Sequence, residues 1–391
     1  MRLKLKLQSP LLAVGTLRTG NFYSSLDYLP GGVLRAALAL ALLENGGLER
    51  RDCDKLNWVP SLNAEERARC KYPHLFDEFS KMRIGDATLY GSRFAPMTAY
   101  ICKSNPEEHP VVDCLDGFFN RRFKRRCVEC NGPVDRFSGW LLGGEKVAGI
   151  YRAITRTAIN SDLGVAADEK LFTCHCLETY CQKGKDEEPT ELHAMIRCSP
   201  EAAEEWKGFF RENPRMYAGR YTSSGLGAMD VETDELPPEE SLEARLISSG
   251  SLKQGRLQVP LTAWSDIYLP LENPYETTGL EREEEMKKRW AGLLELPEGG
   301  SIARCFTNYK LRGGFSTMQK GEKWRKAKWI VAKGSVFVLD LPDDQASRDW
   351  LKQAEEKGLG DNTEHGFGRV LAADPIHRRW GREEHDEASV G

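Results

Sequence analysis

The sequence predicts an α+β fold of two related domains in tandem, because one supersecondary unit occurs twice with an acidic linker between the copies. Residues 193–197 read as a strand apolar at alternate positions, 200–211 as a helix around Trp206 and Phe210, and 219–224 as a loop leading to Gly225-Leu226-Gly227. The order returns downstream: strand 335–341 with Val336, Val338 and Leu341, helix 346–357 around Trp350 and Leu351, loop 358–365, then Gly366-Phe367-Gly368. One repeat per half, at a period far too long for a solenoid, implies a duplicated domain.

Taken in order, residues 2–7 alternate as a strand, and a loop with Arg18, Gly20 and Asn21 follows. A Pro-Gly-Gly turn opens a helix over 33–43, with Val33, Ala37, Leu40 and Ala41 on one face. Its start, carrying Gly31, Gly32 and Arg35, offers free N–H groups to an anion, although an ordinary Pro-Gly helix start has the same sequence. Residues 53–140 read as a charged insertion in the first domain, and strands resume at 148–158 and 171–179. The first domain is expected over 1–233 and the linker over 234–241. The second domain, 242–380, is expected to begin with a strand at 242–248 and to hold a charged helix over 280–294, before a polar tail, 381–391.

With 40% hydrophobic and 29% charged residues, the 391-residue chain has the composition of a soluble globular protein. Its longest apolar stretch, 33–43, contains Arg35 and is too short to span a membrane, and the N-terminal alternation is not a signal peptide, so a cytoplasmic protein without membrane association is expected. A net charge of −4 excludes a uniformly basic surface. The local distribution differs: residues 301–335 hold nine Lys or Arg and one acid, and 121–126 put five cations in six positions. Such runs are often solvated faces. Around Lys323, Arg325 and Lys326 the cations alternate with Trp324 and Trp329, which suits a groove taking phosphates on cations and bases on rings.

Eleven cysteines in a cytoplasmic chain point to metal before disulfides. Cys127-Val128-Glu129-Cys130 has the two-residue spacer that aims both thiolates at one tetrahedral ion, and Cys102 and His109 complete a four-ligand structural zinc site, with Cys114 competing for the fourth place. Cys174 and Cys176 share one strand face, as small core hydrophobes do.

A glycine pair lets backbone N–H groups approach phosphate closely, and it equally well ends a helix in a tight turn. The nucleic-acid reading gains from Arg220 just before the first pair and Arg369 directly after the second.

Tyr28-Leu29-Pro30-Gly31-Gly32-Val33-Leu34-Arg35-Ala36-Ala37-Leu38 resembles the helix opening of CRISPR-associated RAMP proteins, with Gly32 where that family usually has Ser and Ala36 where it has Gly. Glu364-His365-Gly366-Phe367-Gly368-Arg369-Val370 resembles its C-terminal glycine-rich loop, and 152–172 is similar to the strand pair before its second helix. With the Cys-His insertion, the chain most resembles the two-domain RAMP subunit of type III-D effectors, the counterpart of the Cas-five-like subunit that caps the 5′ handle of the guide RNA. The resemblance implies two RRM-like, ferredoxin-like RAMP domains that bind RNA through glycine-rich loops, the first with the zinc-binding insertion. Together with the anion sites and the basic-aromatic run read from the residues, this places expected RNA contacts at Arg18, Asn21, Gly31, Gly32, Arg35, Arg220, Gly225, Gly227, Gly366, Phe367 and Gly368, with Lys323, Trp324, Arg325 and Lys326 contributing. Expected partners are guide RNA (crRNA), the large polymerase-like subunit and backbone RAMP subunits, with target RNA reached indirectly. The alternative is a RAMP endoribonuclease cleaving guide precursor or target RNA: the guide-processing kind would need a His near the first loop or helix, and residues 15–35 contain none, while cleavage of target RNA would use a loop Asp, for which no motif singles out Asp27 or Asp113. The residues therefore favour a non-catalytic scaffold.

Overall fold

Alternation in Arg2–Leu7 buries Leu3, Leu5 and Leu7 and makes this strand the centre of an antiparallel sheet. In this computed structural model, which describes residues 1–17, 21–46, 59, 62–160, 165–236, 240–253, 255–271, 280–315 and 324–377, the strand pairs with Glu191–Arg197 on one side and Ala228–Asp234 on the other. Ala87–Leu89 extends the sheet beyond Glu191–Arg197. The chain divides into two units: 1–93, 146–237 and 364–366 form the first, and 94–145, 238–363 and 367–391 the second.

In the first unit, helix Gly31–Asn45 buries Ala37 and Ala41 as read from the sequence, but with Leu34, Leu38 and Leu42 rather than Leu40, which is exposed; helix Pro200–Glu212 buries Trp206 and Phe210 as read, together with Phe209. Pro200–Glu212 starts where Ser199 accepts a hydrogen bond from the Ala202 amide and Pro200 fills the first helical position, where no N–H is needed. Trp206 is wholly buried, so truncating it to Ala would cost about 3–5 kcal/mol. The strands expected at 148–158 and 171–179 are longer, Glu145–Asn160 and Val165–Lys183, and pair as an antiparallel hairpin. Phe22–Ser25 runs parallel to the second of them.

In the second unit, Arg256–Ala263 is central, flanked by Val336–Pro342 and Val370–Ala372, with Ser301–Phe306 outside Val336–Pro342. Leu257, Val259, Leu261, Phe337, Leu339, Trp290 and Leu351 form its core. Helix Gln345–Lys357 again begins on a side-chain cap, Asp344, which accepts from the Ser347 amide at 2.8 Å. Each unit thus has the spatial order fourth, first, third and second strand, with a helix between the third and fourth.

The repeat extends to individual hydrogen bonds. In the first copy Ala218 N–H donates to Gly227 O (3.0 Å), Arg220 N–H to Leu12 O (2.9 Å), Gly227 N–H to Pro10 O (2.9 Å) and Ala228 N–H to Ser9 Oγ (3.0 Å). In the second, Leu359 donates to Gly368 O (2.9 Å), Asp361 to Tyr268 O (3.0 Å), Gly368 to Asp266 O (2.8 Å) and Arg369 to Ser265 Oγ (2.9 Å). Both loops turn through a short 3-10 segment, Thr222–Ser224 and Thr363–His365.

Two expectations are corrected. Residues 242–248 are a helix, Leu242–Ser248, because Ser241 caps it by accepting from Ala244 N–H; the strand follows at Arg256–Ala263. The insertion is not one body within the first domain. Arg83–Ile84 and Ala87–Leu89 complete the first unit's sheet, while 94–145 belongs with the second unit. There Leu115 packs on Val336 and Val338, Arg304 donates to Phe118 O at 2.7 Å, and buried His377 bonds Asp113 at 2.9 Å. These contacts bridge residues far apart in sequence, so no local pattern announces them. The tail 381–391 lies outside the described residues.

Candidate nucleic-acid face and metal centre

The first glycine loop packs its own backbone. Ser224, Gly225, Leu226 and Gly227 donate their N–H groups to Tyr221 O, Thr222 O, Tyr221 O and Pro10 O, so these amides are already engaged and do not cradle phosphate as the sequence suggested. The turn's effect is instead to present side chains. Arg220 is exposed, with its guanidinium 5.3 Å from the Tyr23 ring centre, and among the described residues nothing accepts a hydrogen bond from the guanidinium. Arg156, on the long hairpin, lies 5.9 Å from the Tyr221 ring and donates to Ser224 O at 3.1 Å. Tyr221 stacks on Phe172 at 5.4 Å, and Tyr23 meets Phe172 edge-on at 6.1 Å.

Three half-buried rings with two guanidiniums across them make a surface suited to stacking and phosphate contact. Beneath it Leu12, Cys174, Cys176 and Leu226 are buried, as the strand pattern of the cysteines indicated. The sequence flagged Arg220 but missed Tyr23, Arg156, Phe172 and Tyr221; alternation on the two strands was the available signal. Asn21 is exposed and its carbonyl accepts from Thr173 N–H at 2.8 Å. Arg18 lies outside the described residues.

The helix start does not join this face. Gly31 N–H donates to Asp86 Oδ1 at 2.8 Å, and a Cβ on Gly31 would meet Ile84 O at 2.3 Å and His365 O at 2.7 Å; Gly32 faces the His365 side chain. Arg35 donates to Met82 O (2.8 Å) and Phe79 O (2.6 Å), stacking on the Phe79 ring at 4.7 Å. Burial lowers its pKa. Arg35 therefore ties its helix to the following chain. What the helix start meets is Gly366 of the second loop.

Around that loop, Phe367 is half-buried, with Arg312 4.6 Å from its ring centre and Tyr268 edge-on at 5.8 Å. Gly368 is buried, its amide engaged by Asp266 O. Lys310 reaches the Asp266 carboxylate at 2.5 Å. Trp324, Arg325 and Lys326 stand on strand Trp324–Val331, where Trp324 pairs with Phe315 and Arg325 with Gly314; their side chains and all of Lys323 lie outside the described residues.

Cys102, His109, Cys127 and Cys130 come together with all four ligand atoms within 4.8 Å of one another, an arrangement that can hold a metal ion. Cys102 ends strand Ala99–Cys102, and Cys127 to Cys130 form a tight turn closed by Asn131 N–H on Cys127 O and Cys127 N–H on Gly132 O. Cys102 Sγ lies 3.6 Å from Cys130 Sγ and Cys127 Sγ 3.3 Å from His109 Nδ1. Thiolates 2.3 Å from a tetrahedral ion stand about 3.8 Å apart. The Asn105 amide, helped by His109 and Cys130, brings the Cys102 thiol down to about 6. Backbone donors led by Cys130 lower Cys127 as well. On Cys130 the Gly132 amide pulls downward, but burial and the neighbouring cysteines leave the thiol raised. Cys114 bonds Val112 O and stands outside the cluster, so the fourth group beside the three thiols is His109.

No family model matches the chain, and no curated protein matches its sequence. Solved structures do. One chain of the type III-B Cmr-beta complex bound to cognate target RNA and AMPPnP has 12% identity over 86% of both chains, with a TM-score of 0.44. Another, from Cmr-beta bound to cognate target RNA, has 10% identity over 95% of this chain and 97% of that one, also at 0.44. CRISPR associated protein Cas6 has 12% identity over 95% and 98%, at 0.31. Likenesses this distant carry no functional argument, so function is read from the chain's own residues.

Proposed function

We propose that this chain is a cytoplasmic, RNA-binding structural subunit of a type III CRISPR effector complex, built from two ferredoxin-like RAMP domains and gripping the 5′ handle of the guide RNA. The observation that carries the reading is the first-loop face, where Arg220 and Arg156 lie across Tyr23, Phe172 and Tyr221. It offers cations for phosphate and rings for unstacked bases, the two needs of single-stranded RNA recognition. Support comes from the duplicated loop and from the resemblance of 28–38 and 364–370 to RAMP motifs. The partners proposed are guide RNA, the large polymerase-like subunit and backbone RAMP subunits.

The Cys-His cluster takes a structural zinc in this reading. Three thiolates and one imidazole match its preference for four N or S ligands, and the ion would fasten the 127–130 turn to strand Ala99–Cys102.

The test is binding of guide RNA with and without its 5′ handle to the wild type and to Arg156→Ala/Arg220→Ala. The double variant should lose at least tenfold affinity for handle-bearing RNA while melting at the wild-type temperature. Unchanged affinity would exclude this face, and RNA cleavage by the wild type would favour the endonuclease alternative.

A further inference from the structure

Beside the metal cluster, residues 121–126 (Arg-Arg-Phe-Lys-Arg-Arg) form a second charged feature with no part in the face above. All five cations are exposed. Among the described residues, no carboxylate or other acceptor engages the side chains of Arg121, Lys124 or Arg125, whereas Arg126 bonds Asn131 O at 3.3 Å. Of the nearest acids in sequence, Asp116 accepts from Asn120 at 2.9 Å and Asp135 pairs with Lys103 at 3.4 Å. Arg121, Lys124 and Arg125 thus have no carboxylate partner among the described residues.

The segment is also held in shape. Arg122 and Phe123 N–H groups both donate to Gly117 O, at 2.7 and 3.0 Å, and Arg121 adopts a left-handed φ of 57°. At its centre the Phe123 ring lies 4.2 Å from Phe118 and 4.8 Å from Tyr100, and all three rings are half-buried. Tyr100 stands two residues before the metal-cluster Cys102 on the same strand, so the two side chains share a face, and Cys127 directly follows the basic run. Rings anchor the middle of the segment and the thiolate cluster anchors its end.

We propose that residues 121–126, with Tyr100, Phe118 and Phe123, form a second binding site for single-stranded nucleic acid, separate from the glycine-loop face. Arg121, Lys124 and Arg125 would take consecutive phosphates and the aromatic group would take a base. Cations set on both sides of a ring group suit a chain that alternates phosphates and bases, and this favours nucleic acid over an acidic protein, whose charges carry no such alternation. The proposal extends the RNA-binding reading without depending on the same residues.

The experiment measures anisotropy of a labelled single-stranded uridine oligomer with the full chain between 50 and 200 mM salt. Five proteins are compared: wild type, Arg121→Ala/Lys124→Ala/Arg125→Ala, Phe123→Leu, Arg156→Ala/Arg220→Ala, and the basic triple combined with Arg156→Ala/Arg220→Ala. Loss of three phosphate contacts should weaken binding at least tenfold and flatten the logarithmic salt slope by about 2. Phe123→Leu should weaken binding several-fold with the slope kept. The basic triple should reduce affinity in both backgrounds, so it stands even if Arg156→Ala/Arg220→Ala alone has no effect. Metal content and melting temperature show that each variant is folded. A folded triple variant with wild-type affinity and slope overturns the proposal, as does one that loses only a protein partner.

Discussion

Gly227 and Gly368 occupy the same place in loops from opposite halves of the sequence, and both are fixed by one close carbonyl. Their φ angles are 68° and 76°, and a Cβ on either would come within 1.9 Å of Ala218 O or 2.1 Å of Leu359 O. Neither backbone angle nor space admits a side chain. Gly225 shares the positive φ, at 86°, but open space surrounds its missing Cβ.

This contrast separates angle from overlap. Gly225→Ala should cost only left-handed strain, about 1–2 kcal/mol, and leave the loop in place. Gly227→Ala and Gly368→Ala must also move the backbone and should each cost more than about 3 kcal/mol, with the loss shown by urea unfolding. Equal losses at 225 and 227 would mean that the loop relaxes more easily than its hydrogen bonds imply.

The pure protein should carry about one zinc per chain. Cys127→Ser/Cys130→Ser should release it and expose the chain between strands Ala99–Cys102 and Val134–Arg136 to protease, with the first unit intact. Metal analysis and limited proteolysis read both effects. Retention of stoichiometric zinc by the double variant would move the site elsewhere.

His377 should make stability depend on pH. Burial alone would lower its pKa, but Asp113, 2.9 Å from Nδ1, outweighs burial and raises it above 6.5. A His whose pKa is higher folded than unfolded contributes proton-linked stability in full below about 6.5, and loses it as pH rises through the folded value. Asp374 adds to the raising effect, and Thr262 Oγ1 holds Nε2 at 2.8 Å in either charge state. From pH 6 to pH 9 the wild type should therefore lose more of its unfolding midpoint than His377→Gln. Parallel pH curves for the two proteins would contradict the assignment.

Much of this fold is legible because its periods are short. Alternation gave Arg2–Leu7 and Glu191–Arg197, apolar spacing gave the helix around Trp206, and a two-residue spacer marked Cys127 and Cys130. The sequence of 242–248 suits a strand as well as the helix that forms, although Ser241 signals a cap, since seven residues with mixed apolar positions fit both periods. Arg35 shows the limit for the candidate site. Its place at a glycine-led helix start invites an anion, but the carbonyls of Phe79 and Met82 reach it first.

By itself the sequence determined that a strand, helix and glycine-loop unit is repeated, that an acidic segment separates the copies, and that Cys127 and Cys130 can share an ion. These properties follow from residues close together in the chain, where periodicity and spacing act directly. Only the tertiary structure decided that His109 rather than Cys114 lies beside Cys102, Cys127 and Cys130, that residues 94–145 belong with the second unit, and that Tyr23, Arg156, Phe172, Arg220 and Tyr221 share a surface. Each depends on strand register and on packing between distant segments, which are selected by the shape of the whole core and by which donors and carbonyls meet once it has formed.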